Sequence, residues 1–155
     1  MDEKPEKLEE VWDKEIIRSS AALFCYVHKS AVNKKDKIPY ERAFRNTPFE
    51  EGTNLSSDWD KYSTAEATRL LLARQPKNGG EFKNPEDYYV VKLNVGEILE
   101  KIPTQQIEHD PIQNQPPLPD NRAHSIIIGE KNEKARLTFV DICEWAIAPP
   151  GEFYL

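Results

Sequence analysis

The chain predicts a single α+β domain, with a mixed or antiparallel sheet of about four to five short strands and three to four helices. Three observations lead there. A length of 155 residues suits one domain of ordinary size. Aromatic residues make up 10%, including three Trp, too many for a disordered acidic chain even with 31% charged residues. The segments run helix, strand, loop, helix, strand, helix, strand, strand, helix, without the strict β-α alternation of a doubly wound sheet.

Residues 1–5 read as a flexible start. Glu6 to Arg18 then reads as an amphipathic helix, because Leu8, Val11, Trp12 and Ile16 follow three-and-four spacing. Its acids cluster in the first turns, where the helix dipole favours them. Ala22 to His28 is apolar and aromatic and predicts a buried strand. Residues 29–53 carry few periodic apolar positions and two prolines, Pro39 and Pro48, so they predict a long loop with a helical turn near Tyr40–Phe44.

Asn54 to Trp59 predicts a short strand. Ser63-Thr64-Ala65-Glu66 matches a capping box with Ser63 at the cap, which predicts a helix over 64–74. Gln75-Pro76-Lys77-Asn78-Gly79-Gly80 stops it. Asp87 to Leu93 is the clearest strand, Asn94 caps a helix over 95–101, and Pro103 closes that helix. Gln105–His109 is a weaker strand.

Residues 111–120 hold four of the twelve prolines and predict an extended surface excursion between two neighbouring strands. Arg122 to Gly129 predicts the next strand. Glu133 to Glu144 predicts a helix burying Leu137, Val140 and Cys143. Trp145-Ala146-Ile147 either prolongs it or begins a last strand. Residues 149–155 are expected to form a tail.

Charge narrows the function classes. Lys plus Arg number 21 and Asp plus Glu 27, for a net charge of −6. Residues 1–15 hold seven acids against three lysines, whereas residues 29–45 hold six bases against two acids. A chain this acidic is a poor non-specific binder of duplex nucleic acid, which requires many cations on one face. No run of about 18 apolar residues offers a membrane span. Cys25 and Cys143 have apolar neighbours and no CxxC partner, so they read as reduced core residues. Met1-Asp2-Glu3-Lys4-Pro5 lacks the features of a secretory signal, and together these features predict a cytoplasmic location.

Two functional expectations follow. The first is a small binding module, an accessory component of a larger protein assembly. Another protein would meet the basic residues Lys34, Lys35, Lys37, Arg42 and Arg45 or the proline run Pro116, Pro117 and Pro119. The second is an enzyme or receptor for an anionic, nucleotide-like small molecule. Arg122 and His124 would hold charge, Trp59 would stack a ring, and Ser57 and His109 would supply hydrogen bonds. His28, His109 and His124 lie at or near strand ends and could converge on one sheet edge. They lack HxH or HxxxH spacing, so no metal ligand set is assigned and no cofactor is expected. No nucleophile elbow, metalloprotease, kinase or dinucleotide motif is present.

Overall fold

The computed structural model describes residues 10–46, 54–77 and 80–150. Expectations for the flexible start, the first turn of the N-terminal helix, residues 47–53 and the tail from 151 onward lie outside the described residues. The elements are β1 (Ala22–His28), β2 (Val32–Asn33), β3 (Ile38–Pro39), β4 (Asn54–Trp59), α1 (Ala65–Leu71), β5 (Tyr88–Asn94), α2 (Val95–Lys101), β6 (Gln106–His109), β7 (His124–Ile128), α3 (Glu133–Ile142) and β8 (Glu144–Ile147).

Six strands form one sheet in the order β6-β7-β4-β1-β5-β8, every pairing antiparallel, and β2 and β3 form a separate two-stranded ribbon. The architecture is thus α+β, with more strands than the sequence led us to expect. The additional ones are short. Two residues of β2 and two of β3 are too few to display a period, and β8 follows α3 after one residue. The β2–β3 turn is held by Asn33, whose side-chain oxygen accepts the Lys35 and Asp36 amides at 3.0 and 3.2 Å. The excursion between β6 and β7 does join neighbouring strands.

Strand alternation divides the sheet into two faces. Leu23, Cys25 and Val27 of β1 pair with Leu93, Val91 and Tyr89 of β5 and face the main core. Phe139 and Ala135 of α3, Ile98 of α2, Ile102 and Phe44 close over them. The Phe44 and Phe139 rings stack with centroids 5.4 Å apart. The 29–45 segment is therefore not wholly external, since Ala31, Val32 and Phe44 belong to the core while the cations around them stay at the surface. The opposite face carries Phe24, Tyr26, Ser56, Asp58, Val90 and His124, and α1 packs on part of it. Leu72 and Val90 are fully buried there.

Four local expectations are corrected. Residues 10–18 contain no helix. The Trp12 amide bonds to Gln113 Oε1 and the Glu15 amide to His109 Nδ1, each at 3.0 Å, in place of helical carbonyls. Of the expected apolar stripe, Val11 and Ile16 are exposed and Trp12 is half-buried, with the Arg122 guanidinium 5.9 Å from its ring; Leu8 lies outside the described residues. This segment is an irregular strap docked by distant polar side chains, consistent with the marginal stability of short helices without a packed face. The cap of α1 is Thr64, whose hydroxyl accepts the Ala67 amide at 3.1 Å, whereas Ser63 bonds Thr68 and the Thr64 carbonyl. In α3 the buried residues are Ala135 and Phe139; Leu137 is 51% exposed. Finally, β7 begins at His124, leaving Arg122 in the preceding turn.

No helix among the described residues is long and apolar enough to cross a membrane.

Candidate functional site

A cleft of about 520 Å³ opens on the sheet face opposite the main core. Its floor is Phe24 and Tyr26 of β1, Ser56 and Asp58 of β4, and His124 of β7. Thr68 and Leu71 of α1, with the Gln75–Lys77 turn and Lys83, form one wall. The proline-rich excursion, through Ile112, Leu118 and Pro119, forms the other. Two features that read from the sequence as a helix stop and a surface connector therefore enclose a concave surface.

The polar groups of the floor are placed by register. Asp58 stands directly opposite His124, so Ser56, two residues along β4, is diagonal to His124 on the same face. The His124 Nε2 lies 3.2 Å from the Ser56 hydroxyl. The His124 Nδ1 lies 2.8 Å from the Asp110 carbonyl oxygen and 3.3 Å from its carboxylate. Both Asp110 oxygens are acceptors, so Nδ1 carries the proton and donates it, leaving Nε2 of the neutral ring to accept from Ser56. Burial pulls the His124 pKa down, but the Asp110 hydrogen bonds and charge outweigh it and hold the value above the ordinary histidine range. The His124 hydrogen bond in turn holds the Asp110 carboxyl below its ordinary value.

Asp58 is buried and its two oxygens are occupied. One accepts the Thr68 hydroxyl and the other the Asn121 amide, both at 2.8 Å. Lys83 stands differently. Its ammonium donates to the Tyr26 hydroxyl at 3.2 Å and to Gln75 Oε1 at 3.0 Å, and lies 4.9 Å from the Tyr26 ring centroid. No carboxylate among the described residues pairs with it. Burial lowers the Lys83 pKa and pushes that of Tyr26 up to about 12.

The five ligand-binding candidates do not meet in one pocket. Ser57 and His124 line the cleft, although the Ser57 hydroxyl is spent on the Ser125 carbonyl at 3.3 Å. Trp59, His109 and Arg122 gather elsewhere, under the strap. His109 pairs with Ser125, one residue on from His124, and so faces the other side of the sheet. There its ring packs against Trp59 and Tyr62 with centroids 5.1 and 5.9 Å away. The Arg122 guanidinium lies 4.5 Å from the Tyr62 centroid and 3.9 Å from the Glu15 carboxylate. Glu15 also pairs with Lys61 at 2.6 Å and accepts the Tyr62 hydroxyl; these bonds hold its pKa below the ordinary glutamate value.

His28 is distant from both groups, packed on Tyr88 at 5.1 Å and bonded to Ser30. The three histidines do not converge, and no group of three His, Cys, Asp or Glu residues fit to hold a metal occurs among the described residues.

Of the partner-binding candidates, Lys34, Lys35, Arg42 and Arg45 are exposed and Lys37 is half-buried. Arg42 donates to the Ser30 carbonyl and stacks 4.6 Å from the Tyr40 centroid. The Lys37 carbonyl accepts the Trp145 indole N–H at 2.8 Å. Pro116 and Pro117 are exposed, whereas Pro119 is buried at the cleft wall. The sequence reading missed Ser56, Tyr26 and Lys83 as site residues, although Ser56 lay inside a segment singled out beforehand. Asp110 was singled out beside His109 and His124, as a metal ligand rather than as the partner of the His124 ring.

No family model matches the chain, and no curated protein or solved structure matches it either.

Proposed function

We propose that the protein is a receptor for a small anionic ligand with a flat or apolar body, held in the cleft between α1 and the proline-rich excursion. The observation that carries this reading is Lys83. Among the described residues this half-buried ammonium bonds only neutral oxygens, and a desolvated cation without a carboxylate partner favours an anion. Of the acids that line the cleft, Asp110 is paired with His124, and Asp58 is hydrogen-bonded to Thr68 and Asn121 rather than to Lys83. Phe24, Leu71, Ile112 and Leu118 supply apolar surface for the body of the ligand.

The test is thermal unfolding with inorganic phosphate, nucleoside monophosphates and nucleoside triphosphates, in wild type and Lys83→Met. A ligand at 100 times its Kd raises stability by about 2.7 kcal/mol. A rise that Lys83→Met abolishes supports the reading. A panel that leaves the wild type unmoved counts against it.

A second reading, the interaction module, draws on a separate surface. Ile38 and Tyr40 are 45% and 40% exposed amid Lys35, Arg42 and Arg45. Exposed apolar groups in a segment of net positive charge, with Arg42 stacked 4.6 Å from the Tyr40 ring, suit an acidic protein partner. Charge reversal of Lys35 and Arg45 together would abolish recovery of such a partner while leaving the response to nucleotides intact.

A further inference from the structure

We infer that Ser56, His124 and Asp110 form a nucleophile–base–orienting relay, and that the cleft hydrolyses carboxylic esters. This rests on the cleft being a ligand site and adds a reaction to it. Three features carry the inference. The Ser56 hydroxyl and His124 Nε2 are 3.2 Å apart, within reach for proton transfer. His124 Nδ1 is anchored by both the carbonyl and the carboxylate of Asp110, which fixes the tautomer that presents a lone pair to Ser56. The pair also opens into a cavity large enough for a small ester, with Ser56 only half-buried.

The contacts arise across three strands: Ser56 from β4, His124 from β7, and Asp110 from the residue after β6. The β4–β7 register fixes Ser56 and His124, and the Asp110 amide, donating to the His124 carbonyl at 2.8 Å, holds Asp110 directly after β6. This chain does it without the sharp strand-to-helix turn that exposes the serine in many hydrolases, because Ser56 stands on an open part of the sheet face.

The chemistry balances with water as the only co-reactant. Ser56 Oγ attacks the ester carbonyl carbon while its proton passes to His124 Nε2. The tetrahedral adduct collapses, the C–O bond to the alcohol breaks, and the alkoxide takes the proton from Nε2. Water then attacks the acyl-Ser56 carbonyl, giving its proton to Nε2. The acid departs as that proton returns to Ser56 Oγ. Lys77 and Lys83, the two lysines that line the same cleft, supply positive charge to the cavity in which the oxyanion forms. Asp110 is a positioning residue that acts through His124.

An alkyl fluorophosphonate probe tests the relay directly, because Ser56 would displace fluoride and become covalently phosphonylated. Peptide mass spectrometry of labelled wild-type protein should place the adduct on Ser56. His124→Asn should slow labelling by about 100-fold or more. Asp110→Asn should slow it less and move the inflection of its pH profile downward, because the carboxylate that holds the His124 pKa up is gone.

An unlabelled Ser56 in folded wild-type protein overturns the inference, as does labelling that His124→Asn leaves unchanged. The probe carries no anionic group, so the two proposals separate. Nucleotide-induced stabilisation without labelling leaves a receptor and removes the hydrolase. Labelling of Ser56 without any response to anions keeps the relay and removes the anion receptor.

Discussion

Replacing Asp110 with asparagine isolates the ion pair at the cleft floor, because it removes the charge while keeping the Asp110 backbone carbonyl that also holds His124. His124 binds its proton more tightly folded than unfolded. Its share of the stabilisation is therefore complete below the ordinary histidine value of 6.5 and fades as pH rises through the folded value. Asp110 is displaced the other way, so its share is complete above 3.8 and is lost as pH falls through its folded value. The pair is at full strength between these limits.

A hydrogen bond between charged groups contributes about 1.5–3 kcal/mol. The Asp110 side chain is 40% exposed, so solvent screening reduces that to about 1 kcal/mol. Urea unfolding followed by Trp fluorescence at pH 5.5 and 8.5 would measure it. Asp110→Asn should cost about 1 kcal/mol at the lower pH, or about 2–4 °C in Tm. The deficit should shrink as pH rises through the folded His124 value, because the ring then loses its charge. A deficit that grows between pH 5.5 and 8.5 would refute the assignment of a charged pair.

Two substitutions in α3 test its orientation. Phe139→Ala should lose about 3–5 kcal/mol by opening a cavity beside Phe44, whereas Leu137→Lys should stay within about 0.5 kcal/mol; guanidinium melts decide both. His109→Phe keeps ring contacts with Trp59 and Tyr62 but removes the acceptor of the Glu15 amide and the donor to the Arg122 carbonyl. It should cost about 1–3 kcal/mol and speed hydrogen exchange at the Glu15 amide. Gly129→Ala should destabilise the protein measurably by calorimetry, because φ there is +140° and an added Cβ would stand 2.7 Å from Gln105 Nε2 and 2.9 Å from the Thr104 carbonyl.

The elements most legible in the sequence were those whose signals are local. β1 carried an unbroken apolar run, and α2 carried an asparagine cap whose side chain does accept the Glu97 amide at 3.0 Å. The strap misled because its apolar spacing imitates a helix while its amide partners, Gln113 and His109, lie about 100 residues away. Leu137 misled for a related reason, since either of two neighbouring stripes on α3 could have faced the sheet. The site was less legible still. Ser56 and His124 are 68 residues apart, and only the β4–β7 register brings them together. Lys83 showed nothing in sequence, because its significance lies in the absence of a carboxylate partner among the described residues.

His109 and His124 show why alternation decides roles here. They occupy adjacent strands one register step apart, yet point to opposite faces of the sheet. His109 accepts the Glu15 amide at Nδ1, so its proton sits on Nε2 and is donated to the Arg122 carbonyl at 2.7 Å. Both nitrogens are spent on backbone, and the ring is buried to 1% exposure. His124 has the opposite tautomer: Nδ1 is tied to Asp110, and Nε2 meets only a hydroxyl at the floor of an open cleft. The first arrangement fastens a strap, because protonating or removing the ring unmakes a backbone contact. The second leaves a nitrogen able to exchange a proton with Ser56 without loosening any backbone bond. One residue of register therefore separates a histidine that holds the fold from one available for chemistry.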